Sequence, residues 1–304
     1  MSGYEKRYFA HTPADDLTIQ YENLTLSNGT DTPVLHHLPP DDTHRSPPVL
    51  YVHGIESHPG WFIASAQALA RAGSEVFQIT RRGSGTSSAP RGHACCYKQL
   101  LDDTNDAIKY VIEKTGVEKI VLLGVSWGGK LITAYAIKKP QHIRSLTLIT
   151  PGLKAKVDLS PIKKLVILLA WCFHRQKYFD LPLEDVSLFT DNPEMQQYLR
   201  NDPYRLHRAT AGFLFASAML DRLITHAPQR SLKVPLSLIL AQRDKIIDNT
   251  ATFDILERIT GRTIQLFWFN SAHTIEFNPD KQPFHQALCK AVKQGGSLDE
   301  NNNE

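Results

Sequence analysis

Short, unbroken apolar runs separated by longer stretches of helical periodicity leave few folds open to this chain. Runs at 48–54, 75–80, 119–125, 145–150, 236–240 and 263–269 are apolar on both faces. A strand with one wet face would alternate instead, so these belong in a sheet covered on both sides. Helical patterning occupies 64–72, 97–115, 130–138, 250–259 and 283–293. The alternation predicts an α/β fold with a mostly parallel central sheet and helices on both faces. Segments 18–26 and 34–38 flank the turn signal Asn28-Gly29 and read as an antiparallel pair. The rhythm breaks between Pro151 and Pro235, where helical and loop signals replace strands. We expect an N-terminal extension at 1–17, a core at 18–152 and 232–293, a helical cap at 153–231, and a disordered polar tail at 294–304.

Charge narrows the partners. Lys and Arg number 34 against 31 Asp and Glu, a net charge of +3 spread along the chain, too weak for a nucleic-acid protein. The longest apolar run, 165–173, is about half what a spanning helix requires. Its basic flanks, Lys163, Lys164, His174 and Arg175, allow two expectations. The plainer is a cap helix packed on the core; the other is peripheral membrane-surface or acyl-chain contact. No apolar leader opens the chain, so a cytoplasmic location is expected. The four cysteines, Cys95, Cys96, Cys172 and Cys289, match no zinc spacing, and no metal or cofactor is expected.

Chemistry concentrates at 121–130. Gly124, Ser126 and Gly128 form G-x-S-x-G between a predicted strand and a predicted helix. Such a turn holds its serine in a strained backbone, and side chains at the flanking positions would collide with the neighbouring strand and helix. Gly124 to Lys130 also reads as a phosphate-loop pattern, but Leu131 stands where a magnesium-binding Ser or Thr belongs. A serine nucleophile needs a base, and the base an orienting carboxylate. Asp244 and His273 each follow a strand, in the order Ser, Asp, His. Asp248 competes as the acid but lies deeper in its loop. The strand ending His53-Gly54-Ile55-Glu56 supplies a glycine turn, so the amides of Ile55 and Trp127 are the expected oxyanion donors. His53 is expected to brace that loop, with Gly54 and Glu56 in support. Arg81-Arg-Gly-Ser-Gly85 lacks the third glycine of a dinucleotide fingerprint and is expected to be a structural loop beside the oxyanion turn.

These segments, with Gln242-Arg-Asp244, Ser271-Ala-His273 and Asn201-Asp-Pro203, resemble the α/β-hydrolase superfamily. The similarity is to its monoacylglycerol lipase and lysophospholipase branch, the serine aminopeptidase-like hydrolases, over about residues 18–293. Val125 and Trp127 stand where animal monoacylglycerol lipases typically carry His and Met. The resemblance implies a Ser126–Asp244–His273 triad cleaving a carboxylic ester, with a fatty acyl chain and no metal. A thioesterase, a small-ester carboxylesterase and a non-catalytic receptor or scaffold are the alternatives.

Overall fold

The computed structural model describes residues 5–40 and 46–295; the expected tail from residue 296 onward lies outside them. Its elements run β1 (Ile19–Thr25), β2 (Asp31–His37), β3 (Val49–Val52), α1 (Ile63–Arg71), β4 (Val76–Ile79), α2 (Tyr97–Thr115), β5 (Ile120–Val125), α3 (Trp127–Lys138) and β6 (Ile143–Ile149). They continue with α4 (Pro161–Phe173), β7 (Tyr178–Asp180), α5 (Pro193–Asn201), β8 (Arg208–Thr210), α6 (Ala211–Thr225), β9 (Leu236–Ala241), α7 (Asn249–Thr260), β10 (Gln265–Phe269) and α8 (Gln282–Gln294).

Eight strands form one sheet in the order β1-β2-β4-β3-β5-β6-β9-β10. From β4 through β10 every neighbouring pair is parallel. β1 and β2 pair antiparallel, and β2 joins β4 antiparallel. The apolar runs explain the order. β3, β4, β5 and β9 are buried along their whole length and occupy the interior. The edge strand β10 alternates half-buried and exposed residues, with Leu266 and Trp268 facing outward. Parallel pairing brings the carboxyl ends of β3, β5, β9 and β10 to one rim, where open α/β sheets gather their functional loops.

Between β6 and β9 the chain contributes no strand to this sheet. It forms instead α4, α5, α6 and a small ribbon in which β7 and β8 pair antiparallel. α6 packs on α3 and on α4. One expectation fails here. α4 does not pack on the core as a buried helix: only Ile167 and Ala170 are buried along it, while Ile162 is 76% and Phe173 86% exposed. Its apolar residues encircle the helix, and the neighbouring α6 can cover only one side of them. Among the described residues no helix is long and apolar enough to cross a membrane. The segment expected as an extension is partly built in: Phe9 is buried, Ala10 N–H donates to Gly60 O at 2.9 Å, and the Tyr198 hydroxyl donates to Tyr8 O at 2.9 Å.

α3 begins at Trp127, earlier than the expected 130, because β5 turns into it through the single residue Ser126. A Cβ on Gly128 would lie 2.3 Å from Val52 O and 2.6 Å from His53 O; on Gly124 it would lie 2.7 Å from Gly129 N. All three are backbone atoms packed in the core where β3 and β5 meet α3, so they have little room to yield. Gly128→Ala should therefore cost about 3 kcal/mol, the upper end for overpacking, read as a lowered denaturation midpoint. A loss below about 0.5 kcal/mol, the level of ordinary surface substitutions, would contradict this contact.

Candidate active site

Ser126 adopts φ 51° and ψ −119°, a left-handed backbone that side chains rarely occupy. Such a conformation costs on the order of 1–3 kcal/mol and persists only when its surroundings hold it. Ser126 N–H donates to Ile149 O at 2.9 Å, and Ser126 O accepts from Gly152 N–H at 2.8 Å. β6 and the residues after it thus fix the turn from both sides.

Asp244 and His273 follow β9 and β10, adjacent parallel strands, and meet at the same rim. His273 Nδ1 lies 2.7 Å from Asp244 Oδ2. The other carboxylate oxygen accepts from Ile246 N–H at 2.8 Å and Ile247 N–H at 3.0 Å. Burial pushes this carboxyl up, but His273 and the two backbone donors outweigh it and hold Asp244 below its usual range. An ionised Asp244 accepts only, so Nδ1 carries the proton, and in the neutral ring Nε2 then keeps its lone pair. Nε2 is buried and makes no hydrogen bond within the protein, and His273 and Ser126 line the same small cavity with Gly54 and Ile55. The competitor Asp248 is committed elsewhere: it caps α7 by accepting from Ala251 N–H at 3.0 Å.

The loop after β3 approaches Ser126 closely; a Cβ on Gly54 would lie 3.4 Å from that of the serine. His53 is buried, its Nδ1 3.0 Å from Gly54 O, and its Nε2 accepts from Arg81 N–H at 3.1 Å. Burial, reinforced by Arg81, drives its pKa well below the ordinary value, so it is neutral and its two contacts require a proton on Nδ1. The guanidinium of Arg81 donates to three successive carbonyls, His53 O at 3.3 Å, Gly54 O at 2.7 Å and Ile55 O at 2.9 Å. Gly54 C=O and Ile55 N–H belong to one planar trans peptide and point in opposite directions. Drawing the carbonyl toward Arg81 therefore turns the Ile55 amide away from it. The sequence marked 81–85 only as a neighbouring loop. Its missed signal is an arginine set just beyond a buried strand.

Trp127 opens α3 with its ring stacked on Phe213 at 5.0 Å, beneath the Arg81 guanidinium at 4.6 Å, and Nε1 donates to Ser217 Oγ at 2.9 Å. Glu56 is buried and pairs with Arg205 at 2.8 Å. Lys130, the lysine of the phosphate-loop pattern, is paired with Asp221 of α6 at 2.7 Å. From Ser126 and Ile55 a second cavity of about 580 Å³ opens toward α4 and α6, walled by Leu153, Val157, Ile167, Leu214, Phe215 and Ile247. Of these wall residues, Ile167 lies in the apolar run 165–173 that the sequence offered for acyl-chain or membrane contact.

Arg81→Met keeps the stem and removes the donors. It should slow labelling of Ser126 by a fluorophosphonate probe at least tenfold and lower the melting temperature, because each charge-assisted hydrogen bond contributes about 1.5–3 kcal/mol. Unchanged labelling in folded protein would contradict the part assigned to Arg81.

Comparison with known proteins identifies the family. The family model described as serine aminopeptidase, S33, matches residues 44–280. A monoacylglycerol lipase from Mycolicibacterium smegmatis is 24% identical over 246 residues, covering 79% of this chain and 85% of that protein. A monoglyceride lipase from Rattus norvegicus is 23% identical, covering 73% of each. Among solved structures, a soluble variant of Saccharomyces cerevisiae monoglyceride lipase superposes with a TM-score of 0.75 at 18% identity, over 96% of this chain and 98% of that one. Paleococcus ferrophilus monoacylglycerol lipase gives 0.71 at 21% identity, over 91% and 99%. The strand order, the turn at Ser126 and the span of the match lead to one assignment: the chain belongs to the serine aminopeptidase S33 family of α/β-hydrolases.

Proposed function

We propose that this chain is a serine ester hydrolase that cleaves fatty acyl esters of the monoacylglycerol or lysophospholipid type through an acyl-enzyme on Ser126. The observation that carries the reading is the His273–Asp244 pair at 2.7 Å, whose Nε2 has no other partner in a cavity shared with Ser126. Nε2 takes the Ser126 proton as Oγ attacks the ester carbonyl, and Asp244 offsets the charge that develops on the imidazole. The carbonyl oxygen receives the displaced electron pair and is met by the Ile55 and Trp127 amides. Collapse breaks the ester C–O bond, and the alcohol leaves with the proton from Nε2. Water, deprotonated by the same nitrogen, then releases the acid and restores Ser126.

Two features support a lipid-like substrate. The 580 Å³ cavity is of ordinary ligand size, and its largely aliphatic wall suits an acyl chain. Residues 153–231 act in this reading as a cap over the rim, with α4 as its outermost part. The exposed apolar side chains Ile162, Leu165, Leu169 and Phe173, next to Lys163, Lys164 and Arg175, fit a helix that lies against a membrane surface.

Ser126→Ala should reduce p-nitrophenyl ester hydrolysis by about 10⁴-fold or more with an unchanged circular dichroism spectrum; activity within tenfold of the native protein would end the acyl-enzyme reading. In a series of monoacylglycerols and p-nitrophenyl esters, kcat/KM should rise from acetyl to long acyl chains. A preference for acetyl esters would point to a small-ester carboxylesterase, and a preference for acyl thioesters to a thioesterase. Ile162→Ser/Phe173→Ser should release the protein from vesicles containing anionic lipid and leave hydrolysis of soluble p-nitrophenyl butyrate unaltered. Vesicle binding equal to that of the native protein would remove α4 as the contact.

A further inference from the structure

The loop that carries Ile55 is gripped from two sides, and only one of them belongs to the sheet. On the core side Arg81 holds the carbonyls of residues 53–55. On the opposite side the partners come from residues 183–206, within the insertion between β6 and β9. Arg205 Nε donates to Glu56 Oε2 at 2.8 Å, with the two side chains 2% and 1% exposed. Leu206 N–H donates to Glu56 O at 2.9 Å, and Arg205 Nη2 donates to Leu183 O at 2.8 Å. Two residues further along the loop, His58 Nδ1 accepts from Gly60 N–H, so Nε2 is the donor to Asp202 Oδ2 at 3.1 Å. Trp61 Nε1 donates to the same oxygen at 2.7 Å.

The grip extends to the base. The Arg205 guanidinium lies 5.4 Å from the centre of the Phe189 ring, which meets His273 edge-on at 6.2 Å. Phe189 O accepts from Thr274 N–H at 2.8 Å. One buried cation therefore sits between the loop that presents Ile55 and the loop that presents His273.

Stability alone is a poor reason to bury Glu56 and Arg205. Taking both charges out of water costs several kcal/mol, and apolar pairs of similar volume often serve a fold equally well or better. What a buried, multiply hydrogen-bonded ion pair supplies is a fixed geometry. Glu56 follows Ile55 directly; held at both its carboxylate and its carbonyl, it fixes the Ile55–Glu56 peptide, whose carbonyl Arg81 also holds, and with it the Cα on which the Gly54–Ile55 amide pivots. We propose that Arg205, assisted by Asp202, is a positioning residue that sets the Ile55 amide for the transition state from within the cap. Residues 183–206 then belong to the catalytic frame, whereas α4 buries only two of its side chains and is the part of the cap free to move with substrate.

The proposal rests on the acyl-enzyme reading, and the experiment keeps the two apart. Native protein inactive on p-nitrophenyl butyrate, or an active Ser126→Ala, refutes that reading before Arg205 is considered. Given a native activity that Ser126→Ala abolishes, Arg205→Met should lower kcat about 10- to 100-fold with KM changed less than about threefold, the signature of an interaction made in the transition state. Inhibition by butylboronic acid, which forms a tetrahedral adduct on a serine, should weaken by a similar factor. The double variant Glu56→Leu/Arg205→Met separates positioning from folding: it should regain the native melting temperature while kcat stays low. A single variant with kcat within about twofold of native, a change confined to KM, or a double variant that regains kcat together with its melting temperature would each overturn the proposal. If Arg205→Met does not fold, Arg205→Lys decides it: kcat lowered at least about fivefold at constant KM supports the assignment, and native kcat overturns it.

Discussion

Ser126 occupies a backbone conformation that the chain would abandon if the surrounding strands and helix let it. Its φ of 51° is held by a hydrogen bond to Ile149 O, by another from Gly152 N–H, and by a strand–helix contact too close for any side chain at Gly124 or Gly128. Everything else at the rim is arranged about that fixed point. β3 must lie beside β5 for Val52 and His53 to back Gly128, and this adjacency also brings Gly54 and Ile55 within reach of the serine. β9 and β10 continue the parallel order past β6, so Asp244 and His273 emerge on the same side. The sheet order is thus a geometric precondition of the site.

A second constraint acts on the backbone of the Ile55 loop. An amide is a useful donor only if its plane is fixed, and planes are most easily fixed through the carbonyl on their far side. Arg81 does this from the core and is itself held over the Trp127 ring. The stacking of Trp127 on Phe213 and its bond to Ser217 tie the start of α3 to α6. Trp127 thereby links the turn at Ser126 to the insertion between β6 and β9 through its side chain, as the Glu56–Arg205 pair links the neighbouring loop to it.

Much of this was legible in the sequence because it is written in local patterns. Fully apolar runs identified the interior strands, and G-x-S-x-G after one of them identified the turn. Asp244 and Asp248 could be ranked by their distance from β9, and the capping role of Asp248 in α7 accounts for the second carboxylate. Arg81 and Arg205 were not legible as partners of the loop. Their meaning lies in carbonyl and carboxylate groups 26 or more positions away, and nothing periodic marks such a pairing. The exposure of α4 was also hidden, since a helix apolar all round reads as buried unless one knows that α6 covers one side of it alone. The gap in strand rhythm did locate the insertion, yet it gave no sign that residues 183–206 are bonded into the rim while α4 stands largely exposed.

If an ester's acyl group passes through Ser126, it can be caught there. Native protein mixed with p-nitrophenyl butyrate and quenched in acid during turnover should show, by mass spectrometry of its peptides, a butyryl group on the peptide containing Ser126 and assigned to that side chain. The adduct should be absent when His273 is replaced by Ala. Turnover without any adduct, or an adduct on another residue that forms and decays at the catalytic rate, would contradict the account.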